Sequence, residues 1–320
     1  MKVTRVTAPG KIILFGEHAV VYGRPAIAAP VTCLRATAQV KDSSSGGVRL
    51  SAPDLNRDYW LLEAGDDDPF ARAVRVLLEA ANLESPPDLK ISVKSEIPIA
   101  SGLGSGAAMA AAVIRALAQH LDLANLNNNE NISKLTYKVE KMLHGTPSGI
   151  DNTCVVYEQP VYFVRQQPKN HIETLAINRE MLFLIADSGI ASSTKEVVDD
   201  VRRQWLAEKG YYEQIFDSCG RIAQAAKEAI RAGDEQQLGQ LMNENHKLLV
   251  QMRVSSKELD KLVFAAMTAG ALGAKMSGGG RGGNMITLVE KSREDVVRDS
   301  LHVAGAESVF TSLLTEKVTL

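Results

Sequence analysis

The chain has 320 residues, 45% hydrophobic and 23% charged, which suits one large or two ordinary domains with a sizeable core. Its 36 basic and 38 acidic side chains leave a formal charge of −2, which argues against a polyanionic partner such as nucleic acid. The three cysteines, Cys33, Cys154 and Cys219, are odd in number and widely spaced. They fit neither a disulfide framework nor a zinc site, and read as small buried hydrophobes in a reducing cytoplasm.

Met1-Lys2-Val3-Thr4-Arg5-Val6-Thr7 alternates polar and apolar positions and predicts an edge strand. No long apolar region follows its basic residues, so it does not read as a signal peptide. The longest apolar stretch, Ala107 to Ile114, is broken at Arg115 and is too short to cross a membrane; the expected location is cytoplasmic. Residues 31–40 are β-prone, 43–47 (Ser-Ser-Ser-Gly-Gly) signal a turn and 48–51 return as a strand, which together predict a hairpin. Residues 69–81 have helical periodicity, with Phe70, Val74, Leu77, Leu78 and Ala81 on one face. A short strand, 89–93, leads into a glycine-rich segment and an alanine-rich helix to about Leu121. A further helix, 132–143, buries Ile132, Leu135, Val139 and Met142 and stops at Gly145-Thr146-Pro147. Residues 181–186 (MLFLIA) read as a buried strand. Three helices are expected between Lys195 and Ala269, with breaks near Gly233 and Val254-Ser255. A glycine run, a strand at 285–289, a helix from Arg293 and a strand near Val309 follow. The domain boundary is expected near residue 180, giving 1–180 and 181–320.

Three segments carry candidate chemistry. In the first, Ala8-Pro9-Gly10-Lys11 ends a strand on a lysine, and Gly16-Glu17-His18 then interrupts an apolar run with two ionisable residues. Taken singly, each such residue is more often solvated or paired; the case rests on the cluster. The second, Pro98-Ile99-Ala100-Ser101-Gly102-Leu103-Gly104-Ser105-Gly106, opens the alanine-rich helix. Small residues let backbone curl around a ligand, and the free N–H groups of a helix start form an anion site. It is not a Walker A loop, since no Gly-Lys-Ser/Thr follows; the plainer alternative is a tight strand-to-helix turn. The third, Lys275-Met276-Ser277-Gly278-Gly279-Gly280-Arg281-Gly282-Gly283-Asn284, holds five glycines, whose entropic cost favours close approach to a ligand over a bare loop. Between them, the helix carrying Glu140 ends in a turn, and the turn presents Asp151. Two carboxylates with distinct roles suit a phosphate site, because Mg²⁺ takes only one or two carboxylates and phosphoryl transfer needs a group near the acceptor hydroxyl. The plainer alternatives are a solvated helix face beside Lys138 and Lys141 for Glu140, and an ordinary turn carboxylate for Asp151.

Taken together these motifs resemble those of the GHMP small-molecule kinases, and PGKIILFGEHAVVYG and HGTPSGIDN look like the mevalonate kinases among them. The resemblance runs from Pro9 to Asn284. It implies an α+β, two-domain fold: a ribosomal S5 domain 2-like N-terminal domain, and a ferredoxin-like C-terminal domain closing the active-site cleft. It implies ATP-dependent phosphorylation of the 5-hydroxyl of mevalonate with Mg²⁺, by a homodimer. Lys11 would lie near the acceptor oxygen and the phosphates, with Asp151 as catalytic base. Pro98 and Ser101, Gly102, Leu103, Gly104, Ser105 and Gly106 would wrap ATP. Glu17, His18, Thr194, Ser277, Gly278 and Gly279 would hold the acceptor, and Glu140 with Ser105 the metal. Two positions depart from the family pattern. Gly106 stands where a second serine usually helps hold Mg²⁺. Gly279 stands where alanine is usual, and is expected to loosen the third loop. The rival readings are a sister kinase for another small alcohol or sugar, and a non-catalytic nucleotide-binding paralogue.

Overall fold

The computed structural model describes residues 2–98, 102–144, 147–168 and 170–315, without the side chains of Leu143 and His144. Ser101 and the helix stop at Gly145-Thr146 lie outside the described residues. The chain forms two compact units: Met1–Lys11, Leu34–Ile99 and Gly104–Glu158 make the first, and Ile12–Cys33, Ala100–Leu103 and Gln159–Leu320 the second. The expected boundary at residue 180 is a single cut along the chain, whereas these units interleave.

The first unit contains the start of β1 (Val3–Phe15) and the end of β2 (Ala26–Asp42), with β3 (Val48–Ala52), β4 (Arg57–Trp60) and β5 (Leu89–Ser95). Its strands run in the order β4-β3-β5-β2. The hairpin expected over 31–51 does not form, because β5 lies between its two arms. Leu89 pairs with Asp42 of β2 in an antiparallel ladder and with Val48 of β3 in a parallel one. Leu89, Ile91 and Val93 are buried, so β5 supplies one core face to both neighbours. The Asp88 carboxylate accepts the N–H groups of Gly46 and Gly47 at 2.8 and 2.7 Å, which ties the 43–47 connection to the start of β5.

Against this sheet lie α1 (Pro69–Ala80), α2 (Ser105–His120), α3 (Asn129–His144) and α4 (Ile150–Tyr157). Asp68 caps α1 by accepting from Phe70 N and Ala71 N, ahead of a proline at the first helical position, the arrangement that starts helices most readily. Phe70, Val74, Leu77 and Leu78 are buried as expected. In α2, alanines and other apolar residues from Ala107 to Ala118 are buried almost all round, and side chains that small let its neighbours approach closely.

In the second unit, Ala26–Ala28 of β2 pair with β6 (Val161–Val164), which pairs with β7 (His171–Thr174). A separate four-stranded antiparallel sheet is built from β8 (Met181–Asp187), β9 (Gly273–Met276), β10 (Asn284–Val289) and β11 (Ser308–Leu314) in the order β11-β8-β10-β9. Helices α5 (Thr194–Ala207), α6 (Lys209–Ala232), α7 (Glu235–Gln251) and α8 (Lys257–Thr268) join β8 to β9, and α9 (Glu294–Val303) joins β10 to β11. This is the ferredoxin-like order with extra helices in the first crossover. Four helices replace the three expected there. The unforeseen break is at Glu208 (φ −129, ψ 52), two residues before Gly210. It turns the chain so that Tyr212 and Phe216 join Val197 and Val201 in one core, with Tyr22 stacked on Phe216 at 4.2 Å.

Cys154 and Cys219 are buried as expected, but Cys33 is exposed, because it falls on the face of β2 shared with Arg35, Thr37 and Gln39, opposite the buried Leu34, Ala36, Ala38 and Val40. Among the described residues no helix is long and apolar enough to cross a membrane.

Candidate active site

The strand expected to stop at Pro9-Gly10 continues to Phe15, so Lys11 is drawn into the sheet and buried. Its Nζ lies 3.1 Å from Asp151 Oδ2. The lysine stem crosses Gly104, where a Cβ would stand 2.8 Å from Lys11 Cγ. Gly104 also has φ 74, so a larger residue is excluded both by conformation and by contact. Gly104 is the N-cap of α2 and makes no side-chain cap bond. The first N–H groups of this helix, from Ser105 onward, are therefore not satisfied by a cap, and with the helix dipole they suit an anion.

Asp151 is not on a turn as expected; it sits in the first turn of α4, after the N-cap Gly149 at φ 92. A helix holds the carboxylate more rigidly than a loop. The buried Asn152 adds to this, since its Nδ2 donates to Ser133 Oγ at 2.8 Å and ties α4 to α3. Glu140, on α3, is 3% exposed while Lys138 and Lys141 are exposed, so the solvated-face alternative does not hold. Burial first, and the Asp151 charge second, push its carboxyl up to about 7, with Lys11 opposing. Cys154, whose thiol is raised by burial, is close enough to feel both Lys11 and Asp151.

The cluster brings Glu140 and Asp151 together with Lys11. Among the described residues no three His, Cys, Asp or Glu side chains gather as a metal cage. Mg²⁺ needs no such cage: it keeps several waters and is held by one or two carboxylates and substrate phosphates. Glu140, whose pKa is raised first by burial and then by the Asp151 charge, and the Ser105 hydroxyl at the start of α2 fit that requirement. Gly106 is helical and offers no side-chain oxygen.

The second unit carries its own cluster. Gly16 has φ 89, and His18 has φ 59 and ψ −48, just before a short 3₁₀ turn at Ala19–Tyr22. His18 Nε2 lies 2.9 Å from Gly279 O. Burial lowers its pKa to about 4, with the bond to Gly279 opposing and Arg281 assisting, so the ring is neutral at pH 7. A carbonyl partner requires a proton on Nε2, which leaves Nδ1 as an acceptor. Glu17 is ion-paired to Lys275 with both side chains fully buried. Ser277 Oγ donates to Ile13 O at 2.7 Å.

Thr194 is the first residue of α5, behind Ser193, whose Oγ accepts from Glu196 N at 3.3 Å. The expectation that Gly279 loosens the loop is not met. A Cβ there would lie 2.7 Å from Thr194 Oγ1 and 3.1 Å from its Cα, so the missing methyl is what lets α5 pack onto the loop. Gly278 has φ 85. Further on, Arg281 N donates to Val254 O and Gly283 N to Ile190 O, each at 2.8 Å, and the Arg281 side chain pairs with Asp200 of α5. In the other glycine loop Pro98 is half-buried, Gly102 exposed and Leu103 buried, and Gly102 and Gly104 are both left-handed.

Lys275 and Asn152 lie within the quoted motifs, but motif reading gives neither a role. Lys275 is visible in hindsight as the only charge in the apolar strand Gly273–Met276. Two surface hollows of about 500 and 440 Å³, one lined in part by Arg221, Leu241 and Lys247 and the other by Arg72, Lys138 and Lys141, contain none of the motif residues.

Comparison with known proteins gives the family of the chain. Residues 69–159 match the GHMP kinases N terminal domain and residues 226–305 the GHMP kinases C terminal domain. A mevalonate kinase from Pyrococcus abyssi is 35% identical over 97% of this chain and 95% of its own. The crystal structure of L. major mevalonate kinase in complex with R-mevalonate superposes with a TM-score of 0.85, at 30% identity over 98% of this chain and 96% of that one. That of Methanococcus jannaschii mevalonate kinase gives 0.83, at 28% identity over 97% and 98%.

Proposed function

Because the chain belongs to the mevalonate kinase family of GHMP kinases, we propose that it transfers the γ-phosphoryl group of ATP to the 5-hydroxyl of mevalonate, giving 5-phosphomevalonate and ADP. The observation that carries this reading is the Lys11–Asp151 pair at 3.1 Å, on a lysine that lies across the first residue of the α2 anion site.

Catalysis in such a reaction is mostly positioning and charge neutralisation. The α2 N-terminus and the loop from Pro98 to Gly106 cradle the ATP phosphates. Asp151 orients the acceptor hydroxyl and takes its proton. Lys11, with its Nζ 3.1 Å from Asp151 Oδ2, stabilises negative charge on the attacking oxygen and the moving phosphoryl group. The acceptor is recognised by His18, Thr194 and the segment Ser277, Gly278, Gly279, with neutral His18 offering an acceptor nitrogen to a hydroxyl. Glu140 and Ser105 would hold Mg²⁺, which when bound neutralises the β and γ phosphates.

The reading extends to a cytoplasmic homodimer, which fractionation and sedimentation would check. It also keeps a domain boundary near 180, within the stretch left between the two family segments, which end at 159 and begin at 226. The retention of Lys11, Glu140 and Asp151 weighs against a non-catalytic paralogue. The experiment is ADP release with and without mevalonate, beside a panel of other small alcohols and sugars. Release that depends on mevalonate is expected. Preference for another alcohol, or none at all, would overturn the reading.

A further inference from the structure

Lys275 occupies an unusual place for a lysine. Along β9, Ala274 and Met276 enter the apolar core with Leu259, Leu262 and Met285, and strand alternation turns Lys275 to the opposite face of the sheet. It has no exposed side-chain surface there, and neither has its partner Glu17. Burial lowers the lysine pKa, and Glu17 opposes this. A buried ion pair adds little stability over an apolar pair of similar volume, so stability alone does not account for two charges at this position.

What the pair joins does account for it. The Lys275 ammonium also donates to Met276 O at 2.7 Å, the carbonyl just before Ser277. Glu17, for its part, lies between two left-handed residues, Gly16 and His18. A Cβ on Gly16 would be 2.5 Å from Pro25 O, and His18 adopts its positive φ without a glycine's freedom. A kink of this kind persists only where the surroundings hold it. Contacts that tie residues 13–18 to residues 275–279 include Ser277 Oγ to Ile13 O, His18 Nε2 to Gly279 O, and Lys275 to Glu17. The last of these joins two charges.

We propose that Lys275 is a positioning residue: through Glu17 it fixes the left-handed turn at His18 and the loop from Ser277 to Gly279 as one rigid element that recognises the acceptor alcohol. This rests on the activity proposed above. Glu17 then acts through Lys275 and not by touching the acceptor. Loss of the pair frees His18 from its backbone conformation, and a displacement of about 1 Å is enough to impair a recognition geometry.

The test compares wild type with Lys275→Met, Glu17→Gln and the double variant. KM for mevalonate should rise by about tenfold or more in each variant while KM for ATP stays within about twofold. The double variant should be no worse than the poorer single one, since both changes remove the same contact. Its thermal midpoint should recover towards wild type, because no lone charge remains buried, while its KM for mevalonate stays high. That separation is what a merely structural role would not produce. If the two KM values rise together in step with lost stability, or the single effects multiply in the double variant, the proposal is overturned. Should Lys275→Met fail to fold, the double variant carries the test, and a wild-type KM for mevalonate there overturns it. An independent readout is the NMR titration of the His18 ring. It should move from strongly depressed in wild type towards the ordinary histidine range, about 6.5, in the double variant; an unchanged titration also overturns the proposal. If wild type phosphorylates no alcohol, the functional reading fails while the His18 titration still decides the positioning role.

Discussion

Lys11 with Asp151 and Lys275 with Glu17 are both lysine–carboxylate pairs, yet the Asp151 side chain is 32% exposed and the Glu17 side chain is completely buried. The first pair lies against the start of a helix whose cap is a glycine. The second lies between a sheet strand and a backbone kink, with both side chains fully buried. A charge that must meet a substrate has to stay reachable and keep its protonation state adjustable, whereas a charge that only holds the backbone in place can be sealed. The neighbours differ in the same way. Glu140 is poised to titrate near neutrality, while His18, beside the sealed pair, is held neutral throughout the physiological range. If this contrast is right, changes in the first cluster act on kcat and metal dependence, and changes in the second on acceptor KM.

The largest effect is expected for Asp151→Asn, which keeps size and hydrogen bonding but removes the basic carboxylate. Steady-state kinetics should show kcat lower by roughly 10²–10⁴ with KM for ATP little changed. Near-normal turnover would make Asp151 a binding residue and leave the reachable cluster without a base. Lys11→Met comes next, at roughly 10²–10³ in kcat, because its charge matters most where negative charge develops. A rise in KM for ATP alone would reduce Lys11 to a ground-state phosphate ligand.

Glu140→Gln sharpens the comparison through pH. In the folded protein Glu140 keeps its proton up to about 7, whereas an unfolded chain loses it near 4.5, so the native state binds more protons between those values. The contribution of this group to stability is therefore fully present below about 4.5 and is lost as pH rises through 7. Without metal, the glutamine variant should match wild type in thermal midpoint at pH 4 and exceed it at pH 8. Adding Mg²⁺ at pH 8 should raise the wild-type midpoint and leave the variant nearly unmoved, and the variant should need several-fold more Mg²⁺ for turnover. Identical midpoints at pH 8 would remove Glu140 from the electrostatics of the site.

The two clusters also differ in how far they can be read from sequence. Lys11 and Asp151 stand out because each is an ionisable residue close to a glycine at a turn, and Glu140 because it is a second carboxylate on the helix that precedes Asp151. Periodicity likewise locates α1, expected over 69–81 and running from Pro69 to Ala80, and β8, expected over 181–186 and running from Met181 to Asp187. Periodicity is a local property and does not name partners. It therefore misses that β5 separates β2 from β3, and that α5 ends at Glu208 for the sake of a core built from distant residues. The Glu17–Lys275 pair is the extreme case, since 258 positions separate its members. Each charge looks like an isolated motif residue until the fold buries both. Most of the candidate site was visible through resemblance of whole motifs and not through spacing, which is why the glycine at 279 could be read as loosening a loop that Thr194 in fact packs against.

The smallest expected effect concerns Gly106, where this chain lacks an oxygen that its family usually supplies. A serine there tests whether one more ligand changes the metal hold without touching the chemistry. Residue 106 lies in the first turn of α2 and is not among the residues with positive φ, so its backbone accepts a side chain. Serine is also the better helix former, by about 0.5 kcal/mol, and the thermal midpoint of Gly106→Ser should be equal to or slightly above wild type. The half-saturating Mg²⁺ concentration for turnover should fall by about two- to fivefold, with kcat changed by less than about twofold, because Mg²⁺ exchanges one of its several waters for the new hydroxyl. The sealed pair predicts the control: KM for mevalonate should not move. An unchanged magnesium titration would mean that the hydroxyl does not reach the metal and that Ser105 with water already completes the shell. A loss of both stability and activity would mean that the position is glycine because the nucleotide or the backbone needs the space, and the idea of a merely missing ligand would be abandoned.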